Sequence, residues 1–147
     1  MKTRTFLSLG VMAAAMGLGI CGTVLAADST AFGAKLSGAN EVPANASPGS
    51  GTLEASLDKQ TSVLSWTVIY AGLTGPVKAG HFHGPAVAGA NAGVALGFTG
   101  SVESPVKGSA TLTAAQIEDL AAGKWYVNLH TAANPGGELR GQVTPTP

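Results

Sequence analysis

At 147 residues, 45% hydrophobic and 11% charged, the chain has the makeup of one folded domain, not of a disordered segment. Its eight basic side chains match eight acidic ones in number and are scattered along the chain, which excludes a nucleic-acid footprint.

The N-terminus reads as a targeting segment. Lys2 and Arg4 precede an uncharged run from Thr5 to Ala27 that ends in small residues, the pattern of a secretory signal peptide over residues 1–27. Val24-Leu25-Ala26 and Leu25-Ala26-Ala27 both suit cleavage, and the expected destination is secreted or periplasmic. Gly17, Gly19 and Gly22 argue against keeping this run as a membrane anchor, and no later segment is apolar for long enough to cross. No membrane association is therefore expected after cleavage. Cys21, in "LGIC", has bulky Ile20 where a lipidation motif wants a small residue, so it is expected to leave with the signal. The remaining domain, 28–147, then has no cysteine and can form neither a disulfide nor a thiolate metal site. It carries a net charge of −2 and must rely on a hydrophobic core. A chain of that size buries roughly two-thirds of its unfolded surface, which is enough.

Short alternating runs between Gly/Pro/Asn/Ser turns then predict antiparallel β structure. "GANEVPANASPGSG" is too rich in Gly and Pro for strand interior, and its "NAS" at Asn45 is a glycosylation sequon by pattern alone. "TLEASL" turns Leu53, Ala55 and Leu57 to one side. "SVLSWTVIY" does the same with Leu64, Trp66, Val68 and Tyr70. "VKAGHFH", "GVALGFT" and "GSATLT" follow, with the glycine-rich "GPAVAGANAG" expected as a flexible lip. One helix interrupts at "TAAQIEDLAAG": Thr113 suits the N-cap, Gln116 completes a capping box, and Gly123 supplies the left-handed stop. Ile117, Leu120 and Ala121 give it an apolar side. "WYVNLH" and "ELRGQV" close the pattern, joined by "NPGG" with Pro135 and Gly136 as the centre of a type II turn. The expected fold is all-β, a Greek-key sandwich or barrel with one short helix.

Four motifs in order, "NEVP", "HFHGPA", "YVNLHT" and "GGELRGQ", resemble the CHRD domain, named after chordin and common in exported bacterial proteins. The resemblance runs from about Phe32 to Val143. It implies an immunoglobulin-like or superoxide-dismutase-like β-barrel, and it says more about fold than about function. A second similarity is to copper-zinc superoxide dismutases, which also pair a His-x-His strand with a later ligand histidine. This chain lacks the histidine-rich zinc loop, the bridging histidine and the paired cysteines of those enzymes, so no dinuclear site is expected.

His81, His83 and His130 are the chain's three histidines. On a strand, His81 and His83 share a face with Val77 and Ala79, their Cα atoms roughly 6.5–7 Å apart, close enough to lean onto one ion. Gly80 and Gly84 would permit a bulge that tilts them together. In "WYVNLH" the apolar face is Trp125, Val127 and Leu129, which leaves His130 on the other with Tyr126 and Asn128. If the two strands are neighbours, the three imidazoles form one cluster suited to copper or zinc. Asn128, Glu138 and nearby carbonyls could orient the rings. A plainer reading has the same histidines partly buried and satisfied by backbone carbonyls.

Other chemistry finds little support. No G-x-S-x-G is present, and "GPAVAGANAG" lacks the lysine of a phosphate loop. Glu118 and Asp119 are adjacent on a helix surface, Glu138 and Arg140 are expected to pair at the surface, and Trp66 and Trp125 belong to the core. Three functions stay open: an exported binding protein with a mononuclear copper or zinc site or an extracytoplasmic protein partner; a superoxide-dismutase-like redox enzyme with Arg140 as its steering group; and a structural or adhesive module without metal. The binding protein leads, and no catalytic residue is assigned.

Overall fold

The computed structural model describes residues 28–147; the expected signal peptide lies outside them. The strands are β1 (Ser29–Ser37), β2 (Ser50–Asp58), β3 (Val63–Ala71), β4 (Val77–His83), β5 (Val94–Gly97), β6 (Val106–Thr111), β7 (Trp125–Thr131) and β8 (Leu139–Pro145). A 3-10 turn, Gly38–Asn40, follows β1, and α1 (Ala114–Ala121), the one α-helix among the described residues, lies between β6 and β7. All strands join one antiparallel sheet in the order β5-β4-β7-β8-β1-β2-β3-β6. The runs β1-β2-β3, β4-β5 and β7-β8 are local antiparallel neighbours, whereas the links from β3 to β4, β5 to β6 and β6 to β7 cross the fold.

The sheet curls into a half-barrel around its apolar face. Trp66 on β3 meets Phe82 on β4 edge-on at 5.3 Å and stacks on Phe98 at 5.6 Å, although β3 and β4 sit near opposite ends of the sheet. Leu53, Leu57, Leu64, Val68, Val127, Leu129, Leu139 and Val143 fill the interior, with Trp125 fully enclosed. The alternation in the sequence produced this directly, and both tryptophans are core as expected.

Strand β1 escaped the sequence pattern. Only Phe32 and Leu36 of its nine residues are buried, with Ala34 between them partly buried against the core. Pairing with β2 and β8 makes it a strand all the same. The helix forms as expected. Thr113 Oγ1 accepts from Gln116 N at 3.3 Å, Gln116 Oε1 accepts from Thr113 N at 2.9 Å, and Gly123 turns the chain with φ of +68°. Leu120 is fully buried while Ala121 faces solvent, so the contact with the barrel is narrower than expected. Gln116 Nε2 also donates to Ala95 O, tying the helix to β5.

The "NPGG" turn differs in type. Gly137 N donates to Asn134 O at 3.1 Å around Pro135 and Gly136, but the positive φ, +135°, falls on Gly137. A type II turn needs it on Gly136. The turn still returns β8 against β7, pairing Leu129 with Leu139 and Asn128 with Arg140. Among the described residues no helix is long and apolar enough to cross a membrane.

Candidate metal centre

Strands β4 and β7 are neighbours, and their register sets Ala79 against His130, His81 against Asn128, and His83 against Tyr126. The three histidines therefore rise from the outer face of the sheet, opposite the core. Strict alternation would have carried Val77 with them, but the pairing with β7 shifts between Val77 and Ala79, and Val77 turns into the core. A second shift, in the pairing with β5, falls between Phe82 and His83. Gly84, next in the chain, presses on Trp125, where a Cβ would collide with the indole. The close approach fixes where the chain leaves β4.

The ring centroids of His81 and His130 are 5.0 Å apart, those of His81 and His83 5.6 Å, and those of His83 and His130 6.2 Å. One ring nitrogen from each lies within 4.8 Å of the other two. His83 Nδ1 contacts Ala92 O at 3.0 Å, and His130 Nδ1 contacts Pro135 O at 2.9 Å. A carbonyl can only accept, so both Nδ1 atoms carry the proton and both Nε2 atoms present lone pairs. His130 Nε2 then accepts from His81 Nδ1 at 3.1 Å. His83 Nε2 is buried and has no hydrogen-bond partner among the described residues. At metal–nitrogen distances of about 2.0–2.1 Å, tetrahedral ligand atoms are roughly 3.3 Å apart. The His81–His130 pair already has nearly that spacing, and a His83 nitrogen lies within 4.8 Å of both.

Burial favours the neutral form of His81 and His83. Burial lowers the His81 pKa, and the nearby His130 and His83 add to the effect. Burial also lowers that of His83; the Ala92 bond opposes this, and His130 and Arg140 reinforce it. A neutral imidazole is the ligating form.

Asn128 and Glu138 do not orient the rings. Asn128 Nδ2 donates to Glu41 Oε1 at 2.6 Å. Burial drives the Glu41 carboxyl up to about 7, against the opposing pull of Arg140 and Asn128. Glu138 is fully enclosed and accepts from Thr131 Oγ1, from Ser47 Oγ at 2.7 Å and from both the N and Oγ1 of Thr74 at 2.7 Å. Burial alone would raise its pKa, but these bonds outweigh it and hold the carboxyl at about 2. Arg140, expected at the surface beside Glu138, is instead buried and stacked over the Tyr126 ring. Glu138 lies just before β8 in the turn, so the two never share a strand face.

The 84–93 segment is a fastened wall, not a free lip. Ala90 O and Asn91 Oδ1 accept from Arg140, Asn91 Nδ2 donates to Val42 O at 2.9 Å, and Ala92 holds both His83 and Tyr126. Asn45 spends its amide on Gly137 O and Glu138 O, so a glycan there would break two bonds that close the site. Sequence reasoning assigned no role to Glu41 or Tyr126; their positions inside "NEVP" and "YVNLHT" were the available signal. A surface hollow of about 840 Å³ along β1, β2 and β3 is lined by none of the histidines.

Fold and site together define an all-β half-barrel with a three-histidine cluster on its outer face. A family description of the CHRD domain matches residues 32–143, and the chain belongs to that family. No curated protein and no solved structure matches it.

Proposed function

We propose that the chain is an exported binding protein whose CHRD domain holds one copper or zinc ion on His81, His83 and His130. A binding role is what family membership supports; the metal rests on the site itself. One observation carries it: the buried, unpartnered Nε2 of His83 beside two further imidazoles whose nitrogens lie within 4.8 Å. An orphaned buried acceptor is costly unless something fills the gap. Carbonyls fix His83 and His130 with the proton on Nδ1, and moving the His81 proton to its other ring nitrogen releases His130 Nε2 and His81 Nδ1 to join His83 Nε2 as donors. Three imidazoles without a thiolate suit Cu(II) above Zn(II) in the divalent series.

The plainer reading, a structural module, is favoured by the His81–His130 hydrogen bond, which satisfies two ring nitrogens without metal. It leaves His83 Nε2 unexplained. Calorimetric titration with Cu(II) and Zn(II) of the parent and the three His→Ala variants decides between them. Stoichiometric binding lost in each variant supports the site, and no binding by the parent removes it. Superoxide turnover by copper-loaded protein tests the redox alternative. Intact mass tests export: the expected species starts at Ala27 or Asp28, and a lipidated Cys21 start would overturn the cleavage assignment.

A further inference from the structure

Arg140 is the one buried cation among the described residues, and the metal site as proposed does not use it. It has no carboxylate at ion-pair distance; the only such pair among those residues joins Lys59 to Asp28. Its guanidinium carbon instead sits 3.5 Å from the centre of the Tyr126 ring. Tyr126 stacks on His83 with centroids 4.8 Å apart and planes 2° from parallel. Because β7 lies between β4 and β8, His83 and Arg140 approach the ring from opposite sides. The three groups form one stack, cation on phenol on imidazole.

The stack is also fastened along its edge. Arg140 Nη1 donates to Asn91 Oδ1 at 2.8 Å and Nη2 donates to Ala90 O. The Tyr126 hydroxyl accepts from Ala92 N at 3.2 Å and donates to Ala92 O at 3.3 Å. That same Ala92 O holds His83 Nδ1. Arg140 thus reaches His83 by two routes, through the ring and through the 90–92 segment. The donor set contributes no negative charge: the cluster of ligating groups is three histidines and no carboxylate. Glu41 senses the Arg140 charge, but burial holds its carboxyl at about 7, so it offsets that charge only in part at neutral pH.

We infer that Arg140 is a positioning residue for the three-histidine site, acting through Tyr126 on His83, and that its charge favours Cu(I) over Cu(II) there. The inference rests on the metal site proposed above. A fixed cation stacked toward neutral ligands repels a divalent ion more than a monovalent one. The planar fork of arginine, which lysine lacks, is what binds Ala90 and Asn91 while lying on the ring.

The test measures Cu(I) and Cu(II) affinities by competition, and the copper reduction potential, in the full domain and in Arg140→Gln, Arg140→Lys, Tyr126→Phe and Tyr126→Leu. In Arg140→Gln the Cu(I)-to-Cu(II) affinity ratio is expected to fall by on the order of tenfold, with a lower potential. Arg140→Lys keeps the charge and loses the fork, so both affinities should fall about 10- to 100-fold while the ratio stays near that of the parent. Tyr126→Phe keeps the stack, loses only the hydroxyl, and should retain the ratio with a smaller loss of affinity. A parent that binds copper with an unchanged ratio in Arg140→Gln overturns the charge effect. Unchanged affinity in Arg140→Lys overturns the positioning role. Should the Arg140 variants fail to fold, full parental affinity in Tyr126→Leu, which removes the ring between Arg140 and His83, overturns the positioning role on its own. A parent that binds copper in neither state instead sinks the site itself, and the two failures are distinct.

Discussion

The two faces of β7 are both buried, for different reasons. Trp125, Val127 and Leu129 face the interior and are enclosed because the sheet curls around them. Tyr126 and Asn128 face outward and are enclosed because loops are tied down over them, through Glu41, Asn91 and Ala92. The inner face is held by area removed from water, which is non-directional and tolerant of exchange between apolar groups. The outer face is held by directional bonds, where one lost partner strands another buried polar group. An arrangement of the second kind can keep imidazoles at set positions beside solvent.

The largest expected effect would break the inner face. Trp66→Ala should cost roughly 3–5 kcal/mol, since that indole spans the barrel to Phe82 and Phe98. Chemical denaturation checks it, and a loss under about 1 kcal/mol would mean the sheet does not close on Trp66.

Next comes the anchor of the outer face. Glu138→Gln should cost about 2–3 kcal/mol near pH 7, because the amide cannot accept all the bonds from Ser47, Thr74 and Thr131. The sign of its pH dependence follows from a folded value of about 2 against 4.5 ordinarily. The folded state binds this proton less readily, so the stabilisation is complete above about 4.5 and is lost as pH falls through about 2. Glu138→Gln should flatten that acid limb in a series of denaturation curves.

Glu41 works the other way on the same face. Its folded value of about 7 lies above the ordinary 4.5, so stability falls as pH rises from 4.5 through about 7. Glu41→Gln keeps an oxygen for Asn128 and has no charge to bury. It should be nearly neutral at pH 4.5 and stabilising by about 1–2 kcal/mol at pH 8. A variant destabilised at both pH values would show that the carboxylate is held by a partner stronger than Asn128.

The smallest effects on stability sharpen the contrast. Each of His81→Ala, His83→Ala and His130→Ala should change the metal-free domain by about 1 kcal/mol or less, yet weaken metal binding at least about tenfold. Exposed Lys78→Ala should change neither. Because burial and mutual repulsion lower the His81 and His83 values, affinity should begin to fall only at a pH below the ordinary 6.5. A fall that starts above 6.5 would mean the rings are not desolvated as described.

Strand periodicity made the core face legible, from Leu53 and Leu57 to Trp125 and Val127, because alternation maps one residue in two onto the interior wherever a sheet has one apolar side. The helix was equally readable, since Thr113, Gln116 and Gly123 act on their own neighbours. The same local logic put His81 and His83 together, and outward-facing His130 with Tyr126 and Asn128. Whether the two groups met depended on β4 pairing with β7 across a link that passes through β5, β6 and α1, and no local pattern encodes such a pairing. The turn of Val77 into the core, the Arg140–Tyr126–His83 stack, and the opposite fates of Glu41 and Glu138 were likewise decided by tertiary structure alone. A charged residue in an alternating pattern reads as solvent-facing, and only the loops that close over it turn that exposure into burial.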